Sequence, residues 1–113
     1  MRELPGPEAV ALAQALAARA TPLVVLDVRE PWEVALAAID LPGAATRLIP
    51  MREVPARLAE LDPAQPVVCI CHHGARSAQV VAFLERAGFA SAYNLAGGID
   101  AWSRDVDPGV PRY

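Results

Sequence analysis

Two runs, Leu23-Val24-Val25-Leu26 and Pro66-Val67-Val68-Cys69-Ile70, are apolar at every position rather than at every second one. A strand with one wet face alternates apolar and polar residues, so an unbroken run of this length reads as a strand covered on both faces. Strands of that kind belong to parallel sheets, and a parallel sheet needs helices to cover it and to carry the chain back. The intervening segments supply them. Residues 7–19 place Val10, Ala13 and Ala17 at helical spacing with Leu12 and Leu16 beside them, Pro7 suits a first turn, and Glu8 complements the helix dipole. Residues 32–38 read as a short helix, and residues 55–61 as another, with Pro55 near its start and Asp62-Pro63 closing it. A longer helix from about Arg76 buries Val80, Val81 and Leu84 and ends at Gly88. Residues 46–49 suggest a brief edge strand after the Leu41-Pro42-Gly43 turn, residues 91–95 a last strand, and residues 99–103 a short helix after Gly97-Gly98.

Strand–helix alternation on this scale predicts an α/β fold, one small domain over residues 1–113, built on a central, mostly parallel β-sheet of about five strands with helices on both faces. Ligands of such sheets bind beyond the carboxyl ends of the strands, where the connections change direction. Asp27 and Cys71 each close a predicted strand at that end, so the site is expected there. Composition narrows the function. A net charge of -3 argues against a nucleic-acid partner, because phosphate binding needs a basic face. No segment approaches the ~18 uninterrupted apolar residues of a membrane span. The start, Met1-Arg2-Glu3-Leu4-Pro5, lacks the basic-then-apolar order of a signal peptide, so a cytoplasmic location with no membrane association is expected.

Cys69 and Cys71 are separated by one residue on an extended segment, a spacing at which a disulfide would be strained. They are left for packing or for chemistry, and their contexts differ. Cys69 lies inside the apolar run and reads as a buried, inert thiol. Cys71 opens the loop Cys71-His72-His73-Gly74-Ala75-Arg76 between a strand and a helix. A thiol delivered there faces the free backbone N–H groups and the positive dipole of a helix start, which favour thiolate and suit an anionic substrate. Arg76 is a fixed cation able to hold an oxyanion in a forked geometry, and His72 and His73 can add charge in acid. Metal binding by Cys69, Cys71, His72 and His73 is disfavoured because zinc sites draw ligands from separated segments and these four crowd one strand end. No metal and no cofactor are expected. Asp27 and Arg29 are expected to support the loop as an ion pair, Gly97 and Gly98 to make a tight turn, and Trp102 to anchor the core.

Four segments together resemble a single-domain rhodanese, the thiosulfate-type sulfurtransferase module: Leu26-Asp27-Val28-Arg29-Glu30 with Glu33; Leu41-Pro42-Gly43-Ala44; Cys71-His72-His73-Gly74-Ala75-Arg76-Ser77; and Tyr93-Asn94-Leu95-Ala96-Gly97-Gly98-Ile99 with Trp102. The resemblance covers nearly the whole chain. It implies that Cys71 is the nucleophile and becomes a persulfide, and that His72, His73, Gly74, Ala75, Arg76 and Ser77 bind the substrate, the loop backbone from His72 to Arg76 cradling the extra sulfur, with Asp27 and Arg29 in support. One departure is that Ala37-Ala38-Ile39-Asp40 precedes the Leu41-Pro42-Gly43 turn, where the family often has histidine or glycine, so no contact is carried over from that stretch.

The activity this implies is transfer of a sulfane sulfur from thiosulfate or a similar small anionic donor to a thiol or cyanide acceptor, in two steps through a Cys71 persulfide. A partner protein's persulfide is an alternative donor with the same chemistry. Two rivals differ in kind. A cysteine-dependent phosphatase uses a similar loop but places one more residue between cysteine and arginine; the shorter ring here suits a sulfur atom better than a tetrahedral phosphate. A non-catalytic binding or regulatory module of the same fold often lacks the cysteine, which this chain keeps.

Overall fold

The two apolar runs lie side by side at the centre of a five-stranded sheet in a computed structural model that describes residues 2–19 and 21–113. The chain runs β1 (Arg2–Leu4), α1 (Gly6–Ala17), β2 (Val24–Asp27), α2 (Pro31–Leu36), β3 (Ala45–Leu48), β4 (Val67–Ile70), α3 (Ala75–Arg86), β5 (Ala92–Leu95) and α4 (Gly98–Asp105). The spatial order is β1-β5-β4-β2-β3, and every pairing is parallel. β2 and β4 pair in the register Val24↔Val67 to Asp27↔Ile70, and all four residues of each are buried. From β2 the chain moves outward to β3, whereas from β4 it moves the other way to β5. The connections therefore diverge between β2 and β4, which puts the switch point at which such sheets bind ligands past Asp27 and Ile70.

Alternate residues of these strands feed two separate cores. On one face Val25, Val68, Ile70 and Leu95 pack with Ala9, Ala13 and Leu16 of α1 and with Ile99 and Trp102 of α4. On the other, Leu26, Val67, Cys69 and Ala92 pack with Val80, Val81 and Leu84 of α3 and with Ile49 and Val54. Each Val, Leu or Ile sealed in this way stabilises the fold by roughly 1.5–3 kcal/mol. The sheet needs both covers, which is why its central strands carry no polar alternation. Among the described residues, no helix is long and apolar enough to cross a membrane.

One expectation is corrected. Residues 55–61 do not form an α-helix: the stretch is built of turns with 3₁₀ segments at Met51–Glu53 and Leu58–Glu60. Arg57, at φ -111 and ψ 15, leaves the α-helical range between the two segments, and hydrogen bonds such as Val54 N to Met51 O and Leu61 N to Leu58 O span three residues. The segment is held instead by Val54 in the core and by Arg57 bridging Glu53 and Glu60. One strand, β1, is announced by no local pattern. Its backbone adds to the edge of β5, and Arg2 ties it there through the Ala90 carbonyl at 2.7 Å and over the Tyr93 ring at 4.6 Å.

Candidate active site

β4 ends at Ile70, and the next residue, Cys71, stands where the sheet gives way to α3. Only 1% of Cys71 is exposed, yet its sulfur is not sealed in apolar surroundings. Gly74 N–H donates to Sγ at 3.1 Å and Ser77 N–H at 3.4 Å, with Ser77 Oγ at 3.3 Å. These are the donors at the head of α3, whose first-turn amides have no partner within the helix. Gly74 makes the turn at φ 105, a left-handed conformation that side chains resist.

Two carbonyls of the loop are held from behind by α4. Ile99 N–H binds Cys71 O at 2.9 Å and Asp100 N–H binds His72 O at 3.1 Å. The first amides of α4 thus take up the carbonyls of the loop that cradles the sulfur. This contact is close enough to require glycine: a Cβ on Gly98, at φ 64, would lie 2.6 Å from Cys71 O and also overlap the His72 backbone. Gly98 makes a close approach to the loop as well as the turn expected of it.

Ser77 and Asn94 brace the same loop. Asn94, buried on β5, donates through Nδ2 to Gly74 O at 3.1 Å and to Glu3 Oε2 at 3.0 Å, and its Oδ1 lies 2.5 Å from Ser77 Oγ. A hydroxyl has one proton to give. With Asn94 Oδ1, Gly74 O and Cys71 Sγ all within reach, the shortest contact assigns it to Asn94.

Arg76 is not a free cation. Its guanidinium makes a two-pronged pair with Glu33, Nη1 to Oε1 at 2.7 Å and Nη2 to Oε2 at 2.8 Å. Glu33 is buried at the start of α2, where its carboxylate also accepts from Glu30 N–H at 3.1 Å in a capping box and from Tyr113 Oη at 2.8 Å. The hydrogen bonds from Arg76, assisted by those from Tyr113 and Glu30, outweigh burial and hold Glu33 at about 2. The same pair raises Arg76 further above its usual range. Tyr113 accepts in turn from Arg29 Nη1 at 2.9 Å. Arg29 is wholly buried on the Asp27 carboxylate, Nη2 to Oδ2 at 2.7 Å, and also donates to Ala37 O at 2.8 Å. Burial alone would make Arg29 less basic, but its bonds to Asp27 and Tyr113 more than reverse that.

Asp27 and Arg29 therefore form a buried pair that reaches the loop through Tyr113. The Tyr113 ring stacks on His72 at 3.9 Å, and His72 stacks on His73 at the same spacing. His72 Nε2 is buried with no hydrogen-bond partner among the described residues. The cysteines and histidines of the loop do not converge on one point; the group that does is His72, His73 and Asp100, with candidate ligand atoms within 4.8 Å of one another. Asp100 is already engaged with Arg112 at 2.9 Å. Cys69 lies fully inside the core beneath α3, and burial, reinforced by the neighbouring Cys71, pushes its thiol up to about 12. Both cysteines are free.

Glu33, Asn94, Gly98 and Tyr113 were not assigned to the site from sequence. Glu33, Asn94 and Gly98 lie within the family-like segments, where only Gly98 has an expected role, that of a turn. Tyr113 carried no signal, since an aromatic eighty residues from Glu33 becomes a neighbour only on folding.

The rhodanese-like domain family model matches residues 9–105. A protein named sulfurtransferase from Allochromatium vinosum is 39% identical over 82 residues, covering 73% of this chain and 73% of its own length. The thiosulfate sulfurtransferase GlpE of Pseudomonas entomophila is 35% identical over 96 residues, covering 85% of this chain and 84% of that protein. Other relatives are longer: the chain spans 30% of a rhodanese-like/PpiC domain-containing protein of Arabidopsis thaliana, at 40% identity over 93 residues. Among solved structures, a rhodanese-like domain protein from Staphylococcus aureus superposes with a TM-score of 0.73 at 31% identity, covering 100% of this chain and 99% of that one. Fold, loop and relatives agree: the chain belongs to the rhodanese-like domain family.

Proposed function

We propose that the protein is a sulfurtransferase that carries a sulfane sulfur on Cys71. The observation supporting this most is the pair of N–H groups, from Gly74 and Ser77, directed at Cys71 Sγ at the head of α3. Such donors stabilise negative charge on a sulfur atom at no cost in reorganisation. In the first half-reaction the Cys71 thiolate attacks the outer sulfur of thiosulfate; the Sγ–S bond forms, the S–S bond to the sulfonate breaks, and sulfite leaves with the electron pair. In the second, a thiol or cyanide takes the outer sulfur and returns the Cys71 thiolate. The cradle is sized for the charge that persists through both steps, on the terminal sulfur of the persulfide. With 1% of Cys71 exposed, the donor must present a slender terminal atom, as a sulfane sulfur does.

A phosphatase role gains no support from the site. It needs an arginine on the phosphate, and Arg76 is taken up by Glu33. Intact-mass spectrometry after incubation with thiosulfate is the test. The expected result is a gain of one sulfur atom, lost on adding a thiol and absent in Cys71→Ser. Transfer activity surviving in Cys71→Ser overturns the assignment.

A further inference from the structure

Among the described residues, the arginines around the Cys71 loop are all committed to carboxylates. Arg29 is on Asp27 at 2.7 Å, Arg52 on Glu30 at 2.6 Å, Arg76 on Glu33 at 2.7 Å and Arg112 on Asp100 at 2.9 Å. The arginines without a carboxylate partner among the described residues belong to the other end of the strands. Arg2 opens β1 and binds Ala90 O ahead of β5, Arg19 follows α1, and Arg86 ends α3. His72 and His73 stack on each other, with the Asp100 carboxylate within 4.8 Å of their nitrogens. What remains to receive an anion is the amide cradle and the start of α3, equivalent to about half a positive charge. That is enough for one negative charge on one sulfur atom. The sulfonate of thiosulfate would have to be held outside the cradle, where the nearest guanidinium is already neutralised.

We infer that Glu33 is a specificity-determining residue: by occupying Arg76 it turns the site toward sulfane sulfur carried on a thiol, R–S–SH, and away from the thiosulfate dianion. This rests on the sulfurtransferase reading above and narrows its donor class. The step balances without an external oxidant. The Cys71 thiolate attacks the outer sulfur of R–S–SH, the Sγ–S bond forms, and the inner S–S bond breaks with its electron pair leaving on R–S. The proton of the outer sulfur passes to that leaving thiolate, giving Cys71–S–S⁻ and R–SH. The leaving group departs neutral, whereas sulfite departs as a dianion into a mouth whose arginines, among the described residues, are all paired with carboxylates.

The test is the second-order rate of Cys71 loading, followed by intact mass, with thiosulfate and with cysteine persulfide, in wild type and in Glu33→Gln. Wild type is expected to load faster from the persulfide. In Glu33→Gln, freeing Arg76 should raise the thiosulfate-to-persulfide rate ratio on the order of tenfold. Its thiosulfate rate should also fall steeply with added salt, a dependence that a merely structural role for Glu33 does not produce. An unchanged ratio, or a wild type that prefers thiosulfate, overturns the inference. If the variant does not fold, the salt series on wild type decides: a steep fall in its thiosulfate rate reveals an available cation and overturns the inference, and a flat profile supports it. Failure of both donors to load Cys71 sinks the sulfurtransferase reading itself, whereas loading by both with an unchanged ratio sinks the donor assignment alone.

Discussion

Replacing Gly98 by alanine isolates the contact that turns the Cys71 loop inside out. Two costs add at this position. A left-handed φ of 64 is unfavourable for alanine by roughly 1–2 kcal/mol. The new Cβ, 2.6 Å from Cys71 O and in overlap with the His72 backbone, also forces apart two segments joined by the Ile99 and Asp100 hydrogen bonds. Overpacking of that kind costs typically about 1–3 kcal/mol, so the whole effect is about 2–5 kcal/mol. Gly88 supplies the reference. Its φ is 96, but a Cβ there meets nothing within 4 Å, so Gly88→Ala carries the conformational cost alone. Urea unfolding of the two variants separates the terms: at a slope of roughly 2 kcal/mol per molar, a 3 kcal/mol loss in Gly98→Ala moves the midpoint by about 1.5 M. Because the overlap falls on the carbonyls of the reactive loop, Cys71 persulfide formation should drop by about 10²-fold in Gly98→Ala and stay near wild type in Gly88→Ala. If Gly98→Ala is no more destabilising than Gly88→Ala, the close approach is not what holds the loop.

Three further outcomes are expected. Glu33 titrates at about 2 instead of 4.5, so its pairing stabilises the fold fully above 4.5 and loses that contribution as pH falls toward 2. Arg76 is partly open to solvent, which reduces the effect to about 1–2 kcal/mol; Glu33→Gln should be less stable by that amount near neutrality and converge with wild type in acid, and stability curves that stay parallel across this range contradict it. Cys69, fully buried with its thiol at about 12, should resist alkylation in the native protein, and Cys69→Ala should still load sulfur while losing on the order of 1 kcal/mol in thermal unfolding; labelling of Cys69 before unfolding refutes its burial. Tyr113→Phe removes the hydroxyl between Arg29 and Glu33 and should cost about 1–2 kcal/mol, with Tyr113→Ala costing more because the His72 stack also goes; equal stability of Tyr113→Phe and wild type removes the hydroxyl from the network.

Much of the fold was legible because it follows from local pattern. Unbroken apolar strands need two covers, and helical spacing in residues 7–19 and 76–84 provides them. The failures have equally local causes. Residues 55–61 have an apolar pattern, but the backbone leaves the helical range at Arg57 and forms only turns and a 3₁₀ segment. β1 exists because β5 offers an open edge, which three residues of mixed polarity do not signal.

The same division holds at the site. Strand, cysteine, glycine and helix follow one another in the chain, so residue order alone put Cys71 at the head of a helix and Cys69 in the apolar run before it. What order did not decide is where charge is spent. Arg76 stood out in sequence as the substrate's cation, and the folded chain places it on Glu33, 43 residues away. The loop's inward-facing amides depend on Gly98 and α4, and its outer face on Tyr113, whose hydroxyl meets Arg29 across 84 positions. Backbone conformation and burial are set by near neighbours and periodicity. Electrostatic partnership depends on distances that exist only after the sheet has brought five strand ends to one edge.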